Sequence, residues 1–121
     1  MSNSTNIQIG NEGESRASTH MESLGFKIRE RNWRHGHDEI DIIAENETFI
    51  VFVEVKTRHS NAFGKPEAFV TRKKQNFMIR AANAYLTRHD IEKEARFDII
   101  AITLNQADGL VHIPDAFYPI V

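Results

Sequence analysis

The chain has 121 residues, 40% of them hydrophobic and 26% charged, with a net charge of −2. That is the size of one domain around one core, and its longest uncharged apolar runs, such as Thr48 to Val53, are far short of the roughly 20 residues that span a bilayer. With no cysteine, disulfide scaffolds, zinc–thiolate centres, iron–sulfur clusters and thiol nucleophiles are excluded; the N-terminus has no apolar signal core, so a cytoplasmic setting without membrane attachment is expected.

Residues 1–9 are polar apart from Ile7 and Ile9 and read as a flexible N-terminal arm, leaving 10–121 as the single domain. Asn11 is placed to cap a helix over 12–24 that Gly25 stops. The apolar line of this helix is Ala17, Met21 and Leu24, and one step of three residues back from Ala17 puts the Glu14 carboxylate on the same line. Residues 26–33 alternate as a strand, the Arg34-His35-Gly36-His37-Asp38 stretch turns the chain, and 39–44 form a second strand. Glu45-Asn46-Glu47 is a tight connection into 48–57, where β-branched and aromatic residues make the clearest strand of the chain. After a loop at 58–65, Thr71 caps a helix from Arg72 to about Arg88, with Phe77 or Met78, Ala81, Ala82 and Tyr85 as its buried stripe. Strands at 96–104 and 110–113, the latter ended by Pro114, complete the order α-β-β-β-α-β-β. The expected architecture is an α/β domain: a mixed sheet of about five strands flanked by helices.

The charge is unevenly spread. Between Lys56 and Arg80 seven cations face one acid, Glu67, a local net charge of +6. Lys27, Arg29, Arg31 and Arg34 form a second basic stretch. A near-neutral protein with a segregated basic surface can hold a polyanion; the plain alternative is a solvated helix face.

The strand period of two puts Ile50, Phe52, Glu54 and Lys56 on one side of the third strand. A hairpin closed over Asn46-Glu47 pairs Asp41 with Phe52 and sets it diagonal to Glu54 on that side; an odd-length loop would turn Asp41 away. Like charges about 4 Å apart repel by roughly 4 kcal/mol at an effective dielectric of 20. Lys56 alone cannot neutralise Asp41, Glu54 and Glu14, so the group must share a proton or hold a cation. Oxygen donors with open positions suit Mg²⁺ or Mn²⁺. The plain alternative is an ion-pair cluster at a strand end.

These residues, in this order, resemble the PD-(D/E)XK superfamily of restriction-endonuclease-like nucleases: an acid on the first helix (Glu14), an aspartate on one strand (Asp41), then acid-X-lysine on the next (Glu54-Val55-Lys56). The chain is also similar to the YraN family of small bacterial proteins. That likeness is carried by Leu24-Gly25-Phe26, Glu30-Arg31-Asn32-Trp33-Arg34, Glu39-Ile40-Asp41-Ile42-Ile43, Val51-Phe52-Val53-Glu54-Val55-Lys56-Thr57-Arg58, Thr71 with Lys74-Gln75, and Arg96-Phe97-Asp98. It spans about residues 10 to 118. The chain departs from the pattern at Ile40, where the superfamily's name has proline, at Asp38, where the family has glycine, and at His37, where an aromatic residue is usual.

The resemblance implies a metal-dependent endonuclease that hydrolyses DNA phosphodiesters, with branched or junction DNA as the expected substrate, similar to Holliday junction resolvases. It implies Asp41, Glu54 and the Val55 carbonyl as ligands of Mg²⁺ or Mn²⁺. Lys56 would orient the attacking water, Glu14 would hold the water or a second metal, and Gln75 would reach the same pocket. Arg58, Lys73, Lys74 and Arg34 would contact nucleic-acid phosphates. Cutting a junction takes two active sites, hence a homodimer. The competing class is a non-catalytic nucleic-acid-binding module of the same fold. His35 and His37 read as turn residues, Trp33 as a core or rim aromatic, and Asp98 as a strand acid paired with Arg96 or another cation.

Overall fold

The computed structural model describes residues Ser2–His59 and Val70–Pro119, with side chains from Asn11 onward. In chain order the elements are α1 (Ser2–Ser23), β1 (Lys27–His35), β2 (Asp38–Glu45), β3 (Phe49–Arg58), α2 (Arg72–His89), β4 (Glu94–Thr103) and β5 (Leu110–Phe117). The strands form one five-stranded sheet in the order β1-β2-β3-β4-β5. Only β3 and β4 run parallel, in unbroken register from Phe49–Glu94 to Arg58–Thr103, with α2 as their crossover. The protein is thus an α/β domain with a mixed sheet between two helices. The predicted loop at 58–65 lies mostly outside the described residues. Among the described residues no helix is long and apolar enough to cross a membrane.

Each face of the sheet has its own core. On one face Met78, Ala81, Ala82 and Tyr85 of α2 cover Ile50, Phe52, Phe97 and Ile99; on the other Ala17 and Met21 of α1 cover Val51, Val53, Ile100 and Ile102. Of the two alternatives for the α2 stripe, Met78 is the buried one. Burial of one such aliphatic side chain stabilises by about 1.5–3 kcal/mol, so both faces hold the sheet.

Several boundaries differ from the expectation. Helix α1 begins at Ser2, well ahead of the cap assigned to Asn11 and through the stretch read as an arm. Leu24 is 51% exposed, not buried, because the helix has already closed: the Phe26 amide donates to the Met21 carbonyl and Gly25 takes φ 92°, a left-handed turn that suits glycine. Strand β5 runs through Pro114 to Phe117. It is an edge strand, so the missing proline N–H need not cost a ladder bond, and Asp115 kinks it at φ 52°.

The β2–β3 connection matters most. The Asn46 amide donates to the Phe49 carbonyl, and Asn46 Oδ1 accepts from the amides of Thr48 and Phe49 at 2.9 and 2.7 Å. This asparagine turn centres the loop on Glu47-Thr48, one residue later than expected. The ladder then pairs Glu45 with Ile50 and Ile42 with Val53, a register that sets Asp41 level with Glu54 instead of Phe52. A shift of two preserves the strand face, so the two carboxylates are brought closer together than the sequence reading placed them.

Candidate active site

Between residues 40 and 42 the side-chain alternation of β2 breaks: Ile40 packs in the α2 core, Ile42 in the α1 core. The neighbouring strand breaks at the same level, with Asn32 at φ 54° between the pairs Arg31–Ile42 and Trp33–Ile40. The β2–β3 ladder ends at Ile42–Val53, and beyond it the strands part. Asp41 stands in this fork. Its Oδ2 accepts the Val55 amide at 2.8 Å, taking a strand donor where the ladder has stopped and pinning the carboxylate against β3.

Glu54 is the other acid of the fork, 6% exposed. Two ammonium groups approach it at ion-pair distance: Lys56 Nζ lies 3.7 Å from Oε1 and Lys74 Nζ 3.6 Å from Oε2. Lys56 follows Glu54 on the same strand face. Lys74 comes from the first turn of α2, fixed by Thr71, whose Oγ1 accepts the Lys74 amide. Burial raises the Glu54 pKa against the pull of Lys74 and Lys56. Burial, and next the Glu54 charge, push Asp41 up to about 7, while the Val55 amide draws it down, Glu14 adds to the rise and Lys74 opposes it. Two carboxylates side by side, one buried and one partly so, share a proton unless a cation replaces it.

Glu14 reaches the region from α1. Its Oε1 is 3.8 Å from Arg31 Nη2. The helix sits close there because Gly13 lies directly on Thr57 of β3, where a Cβ would run into the Thr57 hydroxyl. Among the described residues, Glu14 Oε1 and Glu54 Oε2 are buried oxygens with no hydrogen-bond partner, a costly state that a cation would relieve. The donor set is all oxygen, which fits Mg²⁺ or Mn²⁺. It fits as a pair of carboxylates; among the described residues no three acidic or imidazole groups stand close enough to cage an ion as they are, and Glu14 is drawn toward Arg31 instead of completing a trio.

The remaining residues singled out from sequence distribute as follows. Gln75 donates its side-chain amide to the Val70 carbonyl at 3.3 Å, bracing the approach to α2. Lys73 lies over the Phe77 ring at 5.8 Å on the outer side of the helix. Arg34 is 76% exposed at the β1–β2 turn, 3.4 Å from Glu39. Arg58 ends β3, with its carbonyl bonded by the Leu104 amide. His35 stacks on Trp33, which meets Tyr85 edge-on and carries Arg88 above it, so Trp33 is a rim aromatic. Asp98 pairs with Arg96 through two bonds, at 2.9 and 2.8 Å, as expected. It also binds His112 Nε2 at 2.7 Å, and His112 in turn meets His20 of α1 at 3.0 Å. Lys74 was read as a phosphate contact; its place over Glu54 was not foreseen, because residues 20 apart in the chain show no pairing signal. The one hint was its position at the third residue of a capped helix.

The class that fold and site define is a small α/β domain with two carboxylates and two lysines gathered at a fork between strands. The chain belongs to the uncharacterised protein family UPF0102, whose profile matches residues 13–102. It is similar over nearly its whole length to UPF0102 proteins of Flavobacterium johnsoniae (44% identical over 116 residues, 92% of this chain and 94% of the relative) and Geobacter metallireducens (45% over 114 residues, 93% of each). The relative from Chlorobium chlorochromatii is 42% identical over 123 residues, covering 96% of this chain and 95% of its own.

Proposed function

We propose that this protein is a metal-dependent endonuclease hydrolysing phosphodiester bonds in DNA, branched or junction DNA being the favoured substrate. The observation that supports this reading most is the Asp41–Glu54 pair: two carboxylates set side by side at a strand fork, one with a buried oxygen that accepts no hydrogen bond, beside two lysines. Pure polyanion binding has no use for such a pair, which repels phosphate. The resemblance to restriction-endonuclease-like nucleases adds to it.

In this reading Asp41, Glu54 and the Val55 carbonyl would hold Mg²⁺ or Mn²⁺, which when bound would supply water activation and charge neutralisation at the scissile phosphate. Asp41 is held ready by the Val55 amide. Lys56, beside Glu54, orients the nucleophile and balances the charge that grows on the phosphate. Glu14 accepts a proton or a water hydrogen bond from the α1 side. Arg58, Lys73 and Arg34 hold backbone phosphates at a distance from the chemistry, contacts that position DNA without reading its sequence. One subunit supplies one such site, so cutting both strands of a junction takes two copies. A cytoplasmic setting belongs to the same proposal.

The test is cleavage of labelled four-way junction, flap, duplex and single-stranded DNA by wild type and Asp41→Ala in Mn²⁺, Mg²⁺ or EDTA. Cutting by wild type that EDTA and Asp41→Ala both abolish is expected. Binding of every substrate without cutting, unchanged by EDTA, would replace the nuclease with a non-catalytic binding module, a reading that the ion-paired state of Glu54 favours.

A further inference from the structure

We propose that Lys74 is the resident cation of the Asp41–Glu54 site, holding the acid pair together until a divalent ion displaces it. The inference rests on the metal-binding reading of that site. It begins from an asymmetry between the two lysines. Lys56 leaves Glu54 along the same strand and meets Oε1, at 3.7 Å. Lys74 arrives from a different element and meets Oε2, at 3.6 Å, the oxygen that lacks a hydrogen-bond partner. The Lys74 charge also draws the Asp41 pKa down. The ammonium stands at the Glu54 oxygen a cation would take.

The side chain is suited to leave. It is 34% exposed, on a flexible four-carbon stem ending in a compact, strongly hydrated charge. The Thr71 cap anchors only its backbone. An ammonium and a divalent ion so near the same carboxylate oxygens repel, so entry of one expels the other. Once displaced, the ammonium is free to meet a substrate phosphate. Metal and DNA binding thereby support each other through one side chain, a coupling that acts equally in both directions.

The experiment is Mn²⁺ titration of the full chain, followed by the electron paramagnetic resonance of the free ion, for wild type, Lys74→Met, Lys74→Arg and Arg72→Gln. Lys74→Met should bind Mn²⁺ about tenfold more tightly, the size expected for removing one unit charge a few ångströms away at partial burial. Lys74→Arg, which keeps the charge, and Arg72→Gln, which removes an exposed neighbouring one, should stay within about twofold of wild type. A merely structural role gives the opposite sign, because a loosened site binds metal more weakly. Adding a short DNA duplex should tighten Mn²⁺ binding by wild type more than by Lys74→Met. If Lys74→Met binds Mn²⁺ no more tightly than wild type, the role of Lys74 falls and the metal site stands. If neither binds at millimolar Mn²⁺, the metal site itself falls and takes this inference with it.

Discussion

Asp41 is the residue on which the account turns, and its environment makes a stability prediction independent of catalysis. Its folded pKa is raised to about 7 from 3.8. A raised acid opposes folding once it ionises: the cost is absent below the unfolded pKa and grows as pH rises through the folded one. A shift of this size corresponds to at most about 4 kcal/mol. Metal-free protein should therefore lose stability between about pH 4 and pH 8. Asp41→Asn keeps an oxygen for the Val55 amide and removes the charge, so in EDTA at pH 8 it should be more stable than wild type by about 1–3 kcal/mol in urea unfolding, with a flatter pH profile. Lower stability of the variant at pH 8 would mean that the carboxylate is satisfied as it stands. The face shared by Asp41 and Glu54 was legible in the sequence because face depends only on the parity of the register. The bond from the Val55 amide and the reach of Lys74 to Glu54 were not, since both depend on where strands part and helices dock.

At the scale of elements, two small features set the site. Asn46 centres the β2–β3 turn on Glu47-Thr48 through two accepted amide bonds; the sequence showed a tight turn there but not which residue would act as its side-chain hinge. Gly13 brings α1 down onto Thr57. Gly13→Ala should force the helix outward and destabilise by about 1–3 kcal/mol, the usual cost of overpacking, even though alanine favours helices. Thr57→Ala in the same chain removes the obstructing hydroxyl and should recover part of the loss, giving a favourable coupling in a double-mutant cycle of unfolding energies. Additive effects would show that the two residues do not meet. Thr71→Ala should cost about 1 kcal/mol through loss of the α2 cap. The extension of α1 to Ser2 was missed because a polar, capless stretch gives no periodic signal; the extension of β5 past Pro114 was missed because proline stops a central strand but not an edge.

Over the whole molecule, a charged cluster at the β4–β5 edge joins the sheet to α1. Asp98 is fully buried on the α1 face. Burial alone would raise its pKa, but the bonds from His112, Arg96 and the Asp115 amide outweigh that and hold it below the usual range. The sign is the reverse of Asp41: a depressed acid stabilises the fold above its unfolded pKa, and this is lost as pH falls through the folded value. Asp98→Asn should lower stability by about 3 kcal/mol or more at pH 7, because it strands a half-buried Arg96 without its counter-charge, and the difference from wild type should shrink in acid. A variant as stable as wild type at pH 7 would show that the cluster contributes nothing net. The sequence pointed to the Arg96 pairing from adjacency on one strand face; His112 and His20 come from other elements and were invisible to it. The strand order was legible in outline because short turns join neighbours in antiparallel pairs and the long α2 connection demands a parallel crossover.

The most direct measurement compares DNA cleavage by wild type and Asp41→Asn in Mn²⁺, alongside urea unfolding of both in EDTA. The account predicts a variant that is at least as stable as wild type yet cuts at least a hundredfold more slowly, because one carboxylate both strains the fold and does the chemistry. Cleavage by Asp41→Asn at the wild-type rate, or no cleavage by wild type of any DNA that it binds, would contradict it.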